Sequence, residues 1–192
     1  MLEILKEIDV QILFFINSLH HPIMDEIMIF FTKRFTWIPF YAFLVFLIIR
    51  KEKFNSWLPL VFITLIIIMA DQFASGLMKP LTERLRPCHN ASLQDMLHLP
   101  YGCGGRYGFF SSHAANTFAV AAFLTGFFRK KVFYLMFVWA AAVSLSRVYL
   151  GVHYPSDITA GALSGTLIGY IMVMLYFYCK NKLQKQSVIK AY

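Results

Sequence analysis

Charge is what this sequence has least of. Lys, Arg, Asp and Glu together make up 15% of its 192 residues, where a soluble domain carries roughly 25%. The shortage argues against a soluble enzyme, a disordered chain and a nucleic-acid-binding module. Acids are scarcer than bases, ten against eighteen, for a net charge of +8. Basic chains often bind nucleic acid. Here, though, the cations fall in short clusters between long apolar runs, as in membrane proteins that hold their loops on one side of a bilayer. No nucleic-acid partner is expected. The N-terminus shows no basic stretch leading to a small-residue cleavage site, so no removable signal peptide is expected. There is no internal repeat, low-complexity tract or composition break, which leaves a single domain over residues 1–192.

What the chain has instead is apolar: 58% hydrophobic and 17% aromatic residues, with a mean hydropathy of +0.59. A helix needs about 20 apolar residues to cross a bilayer. Five runs approach that: about Thr36–Ile49, Trp57–Met78, Phe110–Phe128, Val132–Tyr149 and about Ser156–Tyr178. None has the length or alternation of a strand. The expectation is an all-α integral membrane bundle of about five transmembrane helices. Met1 to Leu19 differs, mixing Glu3, Lys6, Glu7 and Asp9 with Ile4, Ile8, Ile12 and Phe15 at helical spacing. It predicts an amphipathic helix at the interface. A second short helix would follow His20-His21-Pro22, so that residues 1–35 form interfacial helices.

Orientation follows from the cations. The ends at Arg50–Lys53, at Arg129–Lys131 and from Lys180 to Lys190 carry ten cations and one acid, Glu52. The other ends carry eight cations among eight acids. Setting aside Lys79, Arg86 and Arg147, which function could hold in place, the contrast is ten to five. The basic ends, with a tail over 180–192, are therefore predicted to face the cytoplasm. The loop over 79–109 would then face outward, into the periplasm of a bacterial inner membrane. Cys88 and Cys103 share that loop, while Cys179 lies on the cytoplasmic side. A bridge would suit an oxidising compartment and contribute about 3 kcal/mol in the loop-entropy model. Two free thiols are the alternative.

Charged residues near apolar spans need a reason. Lys79, Arg86, Arg147, His113, His153 and Asp157 all fall at outward span ends. Three cations, two histidines and an acid suit an anion, phosphate most naturally, because guanidinium forks match phosphate oxygens. Their spacing is distinctive. Lys79 precedes Arg86-Pro87 in KPLTERLRP, Phe110-Ser111-Ser112-His113 opens the third span, and SRVYLGVHYPSD covers Ser146 to Asp157. In these segments the chain resembles the type-2 phosphatidic acid phosphatase superfamily. Its motifs are Lys-x6-Arg-Pro, Pro-Ser-Gly-His and Ser-Arg-x5-His-x3-Asp. The first and third are intact. The second departs, with Phe110 for Pro and Ser112 for Gly, which bears on pocket shape.

The resemblance implies an integral membrane lipid phosphate phosphatase. His153 would be the nucleophile, forming a phosphohistidine, and Asp157 would hold its imidazole. His113 would be the general acid. Lys79, Arg86, Arg147, Ser111 and Ser112 would bind the phosphate, the serines at a helix N-terminus. Candidate substrates are undecaprenyl pyrophosphate, lipid A and phosphatidylglycerol phosphate. The same residues would serve a phosphotransferase with a lipid acceptor, and a non-catalytic lipid-binding or transport protein is the rival of another class. The histidines match no familiar zinc spacing, and three cations would oppose a metal, so no metal or other cofactor is expected. Glu83, Arg84 and Arg106 read as solvated loop charges. Asp71, inside the second span, reads as a structural partner within the bundle. Oligomeric state is left open.

Overall fold

The structure is a computed structural model that describes residues 2–189, with side chains described for residues 3–186. Met1 and Lys190, both used in the reading above, lie outside the described residues. The described chain is mostly helical, with a long irregular loop over 83–111 that holds one isolated antiparallel bridge between Leu85 and Tyr107. In order, the helices are α1 (Leu2–Ser18), α2 (Pro22–Thr32), α3 (Ile38–Glu52), α4 (Trp57–Asp71), α5 (Lys79–Thr82), α6 (Ser112–Phe128), α7 (Leu135–Tyr149) and α8 (Pro155–Ile189).

Helix starts follow local chemistry. Pro22 stands first in α2, where its missing N–H is not needed, and the His21 side chain accepts from Ile23 N. Pro155 opens α8 in the same way. The second apolar run is not one regular helix. After α4 the chain passes through a wide π segment, Gln72–Met78, before α5. Such segments often mark functional sites.

α6 is the hub, buried along most of its length and packed against α4, α7 and α8. Small residues let α6 and α8 approach. Ala115 and Ala119 on α6 meet Gly161, Gly165 and Gly169 on α8. A Cβ on Gly161 would come within 2.6 Å of the Ser111 carbonyl oxygen, and one on Gly165 would collide with the Ala115 backbone. Close backbone approach of this kind is how helices associate where lipid removes the hydrophobic driving force. Large apolar side chains such as Phe46, Ile68, Leu167 and Met174 point outward instead.

Among the described residues, three helical stretches are long and apolar enough to cross a membrane: Trp57–Thr82, Lys131–Tyr149 and Pro155–Gln186. A fourth arises if α2 and the stretch Arg34–Asn55, bent by 68° at their junction, count as one. α6 has 17 residues, short of a full span, and its place at the centre of the bundle shields it from lipid. α8 has 35 residues, about 52 Å at helical rise, so it continues well past Tyr178 as helix. α1 forms with its Ile4, Ile8, Ile12 and Phe15 stripe exposed, while Asp9, Leu13 and Asn17 turn inward.

The bundle has two polar ends. At one, Lys180 pairs with Glu52, and Lys51 Nζ donates to the Phe127 carbonyl. The basic ends of α3, α6 and α8 therefore gather together. The other end carries the motifs.

Candidate active site

The turn between α7 and α8 sets the first pair. Arg147 O accepts from Val152 N and His153 N, which folds the chain back on the helix end. His153 is 1% exposed, and its Nδ1 lies 3.1 Å from Asp157 Oδ2. That oxygen also accepts from Tyr154 N at 3.0 Å, and Oδ1 accepts from Arg84 Nη1 at 2.8 Å. An ionised Asp157 accepts, so Nδ1 carries the proton and Nε2 keeps its lone pair. Burial, then the Arg86 and Arg147 charges, push the His153 pKa well below its ordinary value and keep the ring neutral.

Three cations stand around this pair, and none is bonded to a carboxylate. Arg86 is buried and donates to the carbonyls of Tyr107 and Val152. Burial lowers its pKa and the charge of Asp157 opposes that. Arg147 Nη1 donates to Thr32 Oγ1, and its buried Nε has no partner. Lys79 Nζ donates to Ser75 Oγ at 3.0 Å and Ser112 Oγ at 2.8 Å. The π segment is what brings Ser75 and Lys79 to face Ser112. All three cations are held by neutral oxygens, so their charge is left for an anion.

α6 points its N-terminus into the same place. Ser111 N donates to the Asp157 carbonyl, while buried Ser111 Oγ has no partner. His113 is partly buried, beside the Thr32 backbone and near the Arg147 charge. Gly108 lets the loop pass, since a Cβ there would lie 3.0 Å from Asp157 Oδ2. Cys88 and Cys103 are joined in a disulfide that closes the same loop.

Beside the site lies a cavity of about 720 Å³. Arg34, Ser112 and His113 line one part of it, and Leu44, Ile48 and Leu124 another. It follows α6 from Ser112 to Leu124, about 18 Å at helical rise. Ser112 and His113 thus stand between the cation cluster and an apolar groove. The Asp71 side chain lines this cavity, and its charge acts on Lys79. Among the described residues no three His, Cys, Asp or Glu side chains are placed to hold a metal ion.

The structure brings together every site residue singled out from the sequence. It adds several that were missed. Arg84, read as a solvated loop charge, is instead paired with Asp9 and Asp157. Ser75 and Thr32 hold Lys79 and Arg147, yet belong to no motif. No local signal marked Arg84, because Asp9 has Lys6 three residues away in sequence and only the structure pairs Lys6 with Glu3 instead.

Residues 60–181 match the PAP2 superfamily. The chain is 36% identical over 193 residues to a lipid A 4'-phosphatase of Bacteroides thetaiotaomicron, covering 98% of this chain and 86% of that protein. A lipid A 4'-phosphatase of Porphyromonas gingivalis is 31% identical, over 94% of this chain and 78% of its own. The crystal structure of Aquifex aeolicus LpxE superposes with a TM-score of 0.64 at 26% identity, over 86% of this chain and 94% of that one. The motifs that meet around His153 are thus carried on a shared fold and a near full-length match to phosphatases, and the chain belongs to the PAP2 superfamily as a membrane lipid phosphate phosphatase.

Proposed function

We propose that this protein hydrolyses a phosphate monoester on the sugar headgroup of a lipid A-type glycolipid, through a phosphohistidine. The observation that carries it is the placement of His113 between the cation cluster and the apolar cavity. A phosphate can sit among Lys79, Arg86 and Arg147 while the lipid it leaves extends along α6. Similarity to two lipid A 4'-phosphatases over nearly the whole chain supports the glycolipid over the other candidates.

His153 Nε2 attacks phosphorus as the P–O bond to the lipid breaks. His113, protonated once the negative phosphate sits beside it, gives its proton to the departing oxygen. Lys79, Arg86, Arg147 and the free N–H groups at the start of α6 stabilise the charge on the transferring phosphoryl group. In the second step His113 takes a proton from water as the water oxygen attacks phosphorus. The P–N bond breaks, releasing inorganic phosphate and free His153. Asp157 keeps Nδ1 protonated throughout, so Nε2 stays the nucleophile.

The site end would face the periplasm and the gathered basic end the cytoplasm, with residues 79–109 outside and 180–192 inside. The supporting observation is that the Arg50, Arg129 and Lys180 ends meet at the pole opposite the site.

The test is phosphate release by purified, detergent-solubilised protein in EDTA, offered lipid A, undecaprenyl pyrophosphate and phosphatidylglycerol phosphate. Lipid A is expected to turn over fastest, and His153→Ala to lose at least about a thousandfold in kcat. Equal turnover by His153→Ala would sink the mechanism. Preference for another lipid would replace the substrate, and turnover only when a second lipid acceptor is added would make the enzyme a phosphotransferase.

A further inference from the structure

We propose that Arg84 and Asp9 are positioning residues for catalysis: Arg84 holds the Asp157 carboxylate in the orientation that presents His153, and Asp9, delivered by α1, holds Arg84. The proposal rests on the His153–Asp157 chemistry above.

The two oxygens of Asp157 have separate duties. Oδ2 serves His153 Nδ1 and Tyr154 N. Oδ1 accepts from Arg84 Nη1 at 2.8 Å. Asp157 is fully buried, so without Arg84 a charged oxygen would be left without that donor, and rotation of the carboxylate would pull Oδ2 away from the imidazole. A charge-assisted bond at one oxygen is what fixes the plane of the other.

Arg84 is itself held on several sides. Nη2 meets Asp9 Oδ2 at 2.6 Å, Nη1 also meets Ser156 Oγ at 2.6 Å, and the guanidinium lies 4.1 Å from the centre of the Tyr154 ring. Lys79, Arg86 and Arg147 have only neutral partners, whereas Arg84 joins two carboxylates. Its charge is spent on them, which sets it apart from the phosphate-binding cations. A planar fork can bridge two acids in this way and an ammonium cannot do so with the same geometry.

Asp9 completes the arrangement from a distant part of the chain. It is 7% exposed, and its Oδ1 accepts from Ser156 N at 2.8 Å in the first turn of α8. A carboxylate there satisfies a free N–H and suits the positive end of the helix. Two turns along the same inner face, Asn17 donates to Tyr149 O at 2.7 Å and to His98 O at 2.9 Å. The amphipathic helix thus straps the catalytic turn from both sides, with its apolar stripe turned away from the protein.

The experiment uses the full chain in detergent with Arg84→Gln, Arg84→Lys and Asp9→Asn, each made alone and with Asp157→Asn. Arg84→Gln is expected to lower kcat by about 10–100-fold, with KM and inhibition by inorganic phosphate changed less than about twofold because the phosphate cations are untouched. Asp9→Asn should lose about three- to tenfold, and Arg84→Lys should recover part of the Arg84→Gln loss. On the residual turnover of Asp157→Asn, followed over hours, Arg84→Gln should cost no more than about twofold, since residues acting through one group are not additive. The same loss in both backgrounds would mean a general structural role and would overturn the proposal. So would wild-type kcat in both Arg84→Gln and Asp9→Asn. If Arg84→Gln fails to fold, Asp9→Asn and Arg84→Lys carry the same comparison. A crippled Asp157→Asn beside unimpaired Arg84 variants overturns this proposal alone, while a fully active Asp157→Asn removes the catalytic reading beneath it as well.

Discussion

At the pole away from the site, Lys180 closes on Glu52, and Arg129 and Lys51 lie over the rings of Phe177 and Phe127. At the site pole, Lys79, Arg86 and Arg147 reach only hydroxyls and carbonyls. The same residue types do opposite work. Where a buried carboxylate answers a cation, the charge is consumed in holding helices together. Where only neutral oxygens answer several cations at once, as around His153, the charge is held in place and remains available to an incoming anion. Arg84 follows the first pattern although it sits among the second, which is why it falls outside the proposed phosphate-binding set.

Paired variants at the two poles test that contrast. Arg147→Ala should lower kcat by about 100- to 1000-fold while leaving the apparent melting temperature near that of wild type. Lys180→Ala should do the reverse, because it leaves Glu52, 6% exposed, without its partner. Phosphate release and thermal unfolding in detergent read both. Similar kinetic losses in the two variants would erase the distinction between the poles.

The next effect is on packing that both poles share. Gly165→Val places side-chain atoms into the Ala115 backbone of α6, which should cost about 1–3 kcal/mol. Its signature is a lower unfolding temperature, with kcat per folded molecule reduced because α6 and α8 carry His113 and Asp157 on their first turns. Unchanged unfolding would mean that the two helices have room to separate.

The smallest effect concerns pH. His153 is held neutral when folded, but titrates near 6.5 when unfolded. Below that value the unfolded state binds more protons, so stability rises with pH and falls as the solution is acidified. The apparent melting temperature should drop from pH 7 to pH 5, and His153→Gln should drop less. An equal drop in both would show that this imidazole is not a source of the pH dependence.

Much of the site was readable before folding. Lys79, Arg86, Arg147, His113, His153 and Asp157 stood out because charge and imidazole are costly near apolar spans, and because their spacings repeat a family pattern. Arg84 lies only two positions from Arg86 in the same segment, but nothing local tells a phosphate cation from a solvated one. Its partner Asp9 is 75 residues away. Asp71, an acid inside an apolar run, suggested a bundle partner, and what folding adds is that it lines a cavity while its charge acts on Lys79. The π segment was also unreadable. QFASGLM continues an apolar helix by composition, and only the packing of Ser75 and Lys79 against Ser112 shows why the turn widens.

The sequence carried the helical class, the membrane setting, the two clusters of charge and the groups proposed for phosphate chemistry. Each of these depends on composition or on spacing within a short stretch, where the chain's own periodicity decides what can be neighbours. Tertiary structure alone decided which cations are neutralised, which face of α1 turns inward, and where an apolar cavity meets His113. Those outcomes depend on residues far apart in the chain meeting in space, and the energy of a charge is set by the partners it meets.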